Sequence, residues 1–104
     1  MIPKTYRLIL QRKTPFIGQK KSGVWATIIT RPNPSPRWAI RINKHVIPLA
    51  TGRNRIRRQL NQWLYRERGQ LIPQDFLIIL KVKPKTISDN DAIFIELTHH
   101  LFKS

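Results

Sequence analysis

The chain has 104 residues, with 20 Lys plus Arg against 5 Asp plus Glu, and a formal net charge of +15. That length suits one domain spanning 1–104 with one modest core, and a 40% hydrophobic content sets it apart from disordered chains. The lack of cysteine excludes a disulfide scaffold, a thiolate zinc site and a Cys nucleophile; with no apolar run near the roughly 20 residues that span a bilayer, and no signal-peptide pattern in Met1-Ile2-Pro3-Lys4-Thr5, a soluble cytoplasmic protein is expected.

In chain order, Tyr6-Arg7-Leu8-Ile9-Leu10 is apolar enough for a short helix or a strand, and its type stays open. Phe16-Ile17-Gly18 sits in a basic stretch that ends in the turn signal Ser22-Gly23. Residues 24–30 are β-branched and aromatic and run into Pro32, Pro34 and Pro36, which predicts a strand followed by a loop. Trp38-Ala39-Ile40-Arg41-Ile42-Asn43-Lys44 alternates with period 2, placing Trp38, Ile40 and Ile42 on a core face and Ala39, Arg41 and Asn43 on a face open to a ligand.

Residues 53–69 carry Ile56, Leu60, Trp63 and Leu64 at i, i+4, i+7 and i+8, one helical stripe, with Gly69 as the expected C-cap. At about 100° per residue, Arg55, Arg58, Gln62, Tyr65 and Arg66 fall opposite that stripe. Arg53 and Arg55 oppose the helix macrodipole, a broken local rule that a partner supplying anions would repair. Asn54 reads equally as the N-cap of this helix or as a hydrogen-bonding group left for a partner. The apolar run 76–82, bounded by Pro73 and Pro84, suits a strand buried on both faces. The last segment is expected to be a helix capped by Ser88, with Asp89 and Asp91 in its first turn and Ile93, Leu97 and Leu101 as its stripe, a strand being the alternative.

The charge is unevenly distributed. Residues 1–66 hold 15 basic residues and no acid, while residues 67–104 hold five basic and all five acidic ones. A one-sign field on a folded domain is the footprint of a polyanion. Nucleic acid is favoured over an anionic membrane, because no segment reads as a basic amphipathic helix with a Trp/Leu face.

The run Trp38-Ala39-Ile40-Arg41-Ile42-Asn43-Lys44-His45, then Arg53-Asn54-Arg55-Ile56-Arg57-Arg58-Gln59-Leu60 and Trp63, resembles the signature of the bacterial ribonuclease P protein subunit. Asp75-Phe76-Leu77-Ile78-Ile79 is similar to that family's Asp-led strand, and the segment from Ser88 to its final helix, so the resemblance covers roughly residues 16–103. The sequence departs from the pattern in the loop before Arg53. There His45 and Ile47 replace a Lys and a Gly, and one residue is added. The family's first helix would fall on residues 5–12, giving a reduced N-terminus.

The resemblance implies an α/β fold, an α+β two-layer sandwich with about four strands, a basic crossover helix and a C-terminal helix. It implies the accessory subunit of an endoribonuclease whose RNA performs Mg2+-dependent removal of the 5′ leader from precursor tRNA. The metal would be held mainly by the RNA and none by the protein alone. The implied partners are ribonuclease P RNA, in a 1:1 complex with a monomeric protein, and precursor tRNA, with no membrane. Arg53, Asn54, Arg55, Arg57, Arg58 and Lys44 would contact the catalytic RNA, where guanidinium forks suit phosphates. Phe16, Lys20, Lys21, Trp25, Arg41, Gln62 and Arg66 would form the leader-binding cleft, combining cations with stacking faces.

A catalytic site in the protein has little support, since the acids show no general acid/base pairing and His99-His100 lack a third metal ligand. Two other readings stand beside the resemblance. One is a general RNA-binding or ribosomal-type protein. The other is a small metal-independent ribonuclease with His45 or His99 as base.

Overall fold

Strands form where the sequence alternates or runs apolar, and helices where the stripe repeats every three to four residues. The computed structural model describes residues 3–9 and 16–103. In chain order they give a 3-10 turn at Lys4–Tyr6, β1 (Gln19–Ser22), β2 (Ala26–Pro32), β3 (Arg37–Ile42), α1 (Ala50–Arg66), a second 3-10 turn at Arg68–Gln70, β4 (Gln74–Leu80) and α2 (Ile87–Leu101). The four strands make one mixed sheet in the order β1-β2-β4-β3. Hairpin-like β1 and β2 pair antiparallel, β2 pairs antiparallel with β4, and β3 pairs parallel with β4. A parallel neighbour needs a crossover, and α1 supplies it.

Period 2 divides the sheet into two faces. Ala26 and Ile28 of β2, Trp38 and Ile42 of β3, and Phe76, Ile78 and Leu80 of β4 form the helix-side core. Against them lie Leu60 and Leu64 of α1 and Ile93, Leu97 and Leu101 of α2, all buried. These are the residues that helical spacing selects. Trp38 stacks at 5.9 Å on Phe76, and Trp63 packs between Phe94 and Phe102 at 4.8 and 5.3 Å, half-buried against the core. As the apolar run predicts, β4 is central and buried on its other face too, at Leu77.

Several boundaries differ from the sequence reading. α1 begins at Ala50 with Leu49 as a cap that makes no side-chain hydrogen bond; Asn54 is therefore in the second turn and is not an N-cap. Gly69 does not close the helix in the left-handed conformation, since no described residue has a positive φ. The chain tightens instead into the second 3-10 turn, and the Arg68 Nη1 donates to the Tyr65 carbonyl at 2.7 Å, capping it from the side. α2 starts one residue before Ser88. Its cap is Thr86, whose Oγ1 accepts the Asp89 N–H at 3.1 Å while Asp89 Oδ2 accepts the Lys85 N–H at 2.8 Å. Tyr65, placed opposite the stripe by its angle, is half-buried because Tyr6 meets it edge-on at 5.7 Å.

The N-terminal segment, whose type the sequence left open, makes the 3-10 turn and then a parallel bridge from Arg7 to Trp38, with the Leu8 N–H bonded to the Trp38 carbonyl at 2.9 Å. It thereby lines the outer edge of β3. Leu10 and Arg12, part of the stretch assigned by resemblance to a first helix, lie outside the described residues.

β2 starts at Ala26 and not at Val24, for a reason that lies seventy residues away. The Glu96 carboxylate of α2 accepts the N–H groups of Val24 (2.6 Å), Trp25 (3.0 Å) and Ala26 (3.0 Å), so these donors turn toward the helix and leave the ladder. Gly23 makes room for this approach, because a Cβ there would collide with the Glu96 carboxyl group. Lys81 completes the fastening by donating from Nζ to the Gly23 carbonyl at 2.8 Å.

Candidate nucleic-acid interface

The strand register places the cations of the helix-free face in rows. One row holds Arg31, Asp75 and Arg37. The next holds Lys20, Ile29, Leu77 and Ala39, and the third Ser22, Thr27, Ile79 and Arg41. The result is an apolar floor of Ile29, Leu77, Ile79 and Ala39 with cations at its corners.

One corner is rigidly built. Asp75, 2% exposed, accepts Arg37 Nε and Nη2 at 2.8 Å each and Arg31 Nε at 3.2 Å. Burial pushes the Asp75 carboxyl up, but the hydrogen bonds from Arg37 and Arg31 and their nearby charges outweigh it and hold the carboxyl below its ordinary value. The hydrogen bond to Asp75 raises Arg37 in turn. Arg31 also lies over the Phe16 ring, 4.4 Å from its centroid. Both guanidiniums stay partly exposed, at 44% and 39% of their side-chain surface, so the carboxylate fixes them without removing them from solvent.

The second element of the interface is a groove of about 550 Å³ between α1, the β3 edge and the N-terminal segment. α1 contributes Asn54, Arg57, Arg58, Asn61 and Gln62; Trp38, Ala39 and Ile40 come from β3, and Arg7 and Leu8 from the N-terminal segment. No acid lines it. The amides are oriented, with Asn54 Oδ1 accepting from Arg57 Nη1 at 2.8 Å and Asn61 Oδ1 from the Trp38 indole N–H at 3.0 Å. Because Ala39 belongs both to this groove and to the apolar row of the open face, the two surfaces are contiguous over the β3 edge.

The residues singled out by sequence are distributed as follows. Asn54, Arg57 and Arg58 face the groove together, joined by Gln62. Arg53 turns inward, donating from Nη1 to the carbonyls of Ile47 (3.0 Å) and Pro48 (2.8 Å). Arg55 faces a separate hollow beside Lys83. Lys44 is exposed in the turn after β3. Phe16, Lys20 and Arg41 lie at the open face, whereas Lys21 pairs with Ile28 and so takes the opposite side of β1. Trp25 is at the hairpin tip, packed against the core beside α2. Arg66 is exposed near Glu67, 3.9 Å away. The seven residues assigned to one leader cleft thus occupy several places.

Sequence reasoning did not select Arg31, Arg37, Asp75, Asn61 or Arg7. Arg37 shares the period-2 face of Ala39 and Arg41 and was within reach; Asp75 and Arg31 join it only through the register. Among the described residues there is no group of three or more His, Asp or Glu that could hold a metal ion. His99 and His100 meet edge-on at 5.3 Å. No described helix is long and apolar enough to cross a membrane.

The Ribonuclease P family profile matches residues 3–104. The chain belongs to the ribonuclease P protein family. The same fold occurs in the Staphylococcus aureus RNase P protein, at a TM-score of 0.76 and 19% identity, covering 96% of this chain and 100% of that one. It occurs again in an S. aureus RNase P protein mutant described as defective in mRNA degradation activity, at a TM-score of 0.73 and 20% identity over 95% and 92% of the two chains. No curated protein matches the chain. Membership in this family makes the chain a ribonuclease P protein subunit, a partner of ribonuclease P RNA and part of an endoribonuclease that processes tRNA.

Proposed function

We infer that this subunit grips ribonuclease P RNA through the α1 groove and holds the single-stranded 5′ leader of precursor tRNA on the open face of the sheet. The observation that carries this reading is the continuity of an acid-free, arginine-lined groove with an apolar floor whose corners are cationic. Phosphates would meet Arg57 and Arg58 in the groove and Lys20, Arg31, Arg37 and Arg41 around the floor, while leader bases lie on Ile29 and Ile79 and at the Phe16–Arg31 stack. Contacts of this kind ignore base identity, as a leader of variable sequence requires. Asp75 holds two of the guanidiniums in place beforehand, which lowers the conformational entropy lost when phosphate arrives.

The chemistry is assigned to the RNA. Magnesium would be held mainly by the RNA, and this chain would bind and orient substrate. The test is cleavage of 5′-labelled precursor tRNA at low magnesium by the protein, the same organism's ribonuclease P RNA, and the two together. Efficient cleavage at the mature 5′ end by the mixture alone is the expected result. A second reading draws on the description of the S. aureus mutant, which credits that protein with mRNA degradation. Cleavage by the protein alone would favour it and make His45 and His99 the first residues to replace.

A further inference from the structure

Arg55 is separated from the groove by the turn of α1 and borders a second hollow of about 440 Å³, within the range of small-ligand sites. Its walls are Ile47, Pro48, Leu49, Ile56 and Pro84, and its rim carries Arg55 and Lys83. We propose that this hollow receives one unpaired base of the partner RNA, with the flanking phosphates on Arg55 and Lys83. The proposal deepens the RNA-binding reading above and rests on it.

Three observations support a built site. First, the apolar lining is continuous across three parts of the chain: Ile47, Pro48 and Leu49 of the loop before α1 meet Ile56 of α1 and Pro84 of the segment after β4. Second, the loop is fastened. Arg53 ties the carbonyls of Ile47 and Pro48 to α1, and Gly52 lets Ile47 lie close, since a Cβ there would come within 2.9 Å of the Ile47 Cγ2. Third, the lining contradicts a phosphate as the inserted group and fits an apolar ring face. Leu49 remains 71% exposed at the mouth, where a splayed base would cover it. No acid lines the hollow, and the acid that follows Lys83 most closely in the chain, Asp89, is engaged by the Lys85 N–H. Charge complementarity therefore calls for an anionic partner, and among these a nucleic-acid strand brings both phosphates for the rim and a flat base face for the apolar walls.

Leu49→Ala and Lys83→Ala both alter exposed side chains, so melting should match the parent. The experiment measures binding of the full chain to the same organism's ribonuclease P RNA across a salt series, together with chemical reactivity of that RNA's unpaired nucleotides. Leu49→Ala is expected to weaken binding by about 5- to 20-fold with an unchanged salt slope, and to re-expose one nucleotide that the parent protects. Lys83→Ala should reduce the salt slope by about one. If the parent binds this RNA and both variants bind equally well with the same protections, the hollow is not a base site, while the subunit reading stands. Loss of self-association in Leu49→Ala with unchanged RNA affinity would give the hollow to a second copy of the chain and overturn the proposal. A parent that does not bind this RNA ends both readings.

Discussion

The Arg31–Asp75–Arg37 corner of the sheet and the outer side of α1 are both arginine-rich, yet their charges stand in opposite relations to the fold. At the corner a buried carboxylate accepts three guanidinium hydrogen bonds. Along α1 there is no acid before Glu67, and apart from Arg66 beside that Glu67 the arginines face carbonyl and amide oxygens or solvent. The corner is finished by the protein itself. On the reading proposed above, the helix is half of an interface whose other half brings anions, and until then its like charges repel. Stability and RNA affinity should therefore respond to different substitutions.

The largest effect should come from the corner. Asp75→Ala leaves two guanidiniums without their acceptor and is expected to cost about 3 kcal/mol, the low end for a broken buried pair because both arginines keep solvent contact. Thermal melting followed by circular dichroism would show a drop of roughly 12 °C or more. On α1, Arg57→Ala and Arg58→Ala should each weaken binding to ribonuclease P RNA by about 1–3 kcal/mol and lower the salt slope by about one, while the melting temperature holds or rises. Arg53 sharpens the contrast within one motif. Arg53→Ala should lower stability by about 1 kcal/mol through its two carbonyl bonds, with any loss of RNA affinity arising from the freed loop and leaving the salt slope little changed.

The smallest effect is one of pH. Asp75 is held below its ordinary value in the folded chain, so the stability it adds is complete above the unfolded carboxyl pKa, about 4, and is lost as pH falls through the folded value. Urea unfolding at pH 7 and at successive steps below pH 4 should show this loss in the parent. In Asp75→Asn the part due to this group should be absent.

Much of the scaffold was legible because it is periodic. The stripes Ile56, Leu60, Leu64 and Ile93, Leu97, Leu101 are the core contacts of the two helices, and the alternation from Trp38 to Ile42 sorts β3 into a packed and an open face. What escaped has no period. The start of α1 is unmarked because Leu49 caps it without a side-chain bond, and the choice between Thr86 and Ser88 turns on which hydroxyl reaches an N–H. The candidate interface was legible in kind, as arginines on a helix and cations near aromatics, but not in its grouping. Asn54 and Gln62 line a groove only once the β3 edge and the N-terminal segment lie alongside α1, and Asp75 finds Arg31 and Arg37 only after a register between distant strands is set.

The Glu96 fastening also has a consequence for the order of events during synthesis. The hairpin at the start of the sheet leaves the ribosome early, yet the acceptor for its tip lies near the end of the chain. The N–H groups of Val24, Trp25 and Ala26 stay with water until α2 arrives, so the tip of the hairpin cannot reach its final form ahead of the rest. α2 in effect latches the hairpin, and a message cut short before residue 96 would yield a protein with every arginine in place and its hairpin tip unfastened.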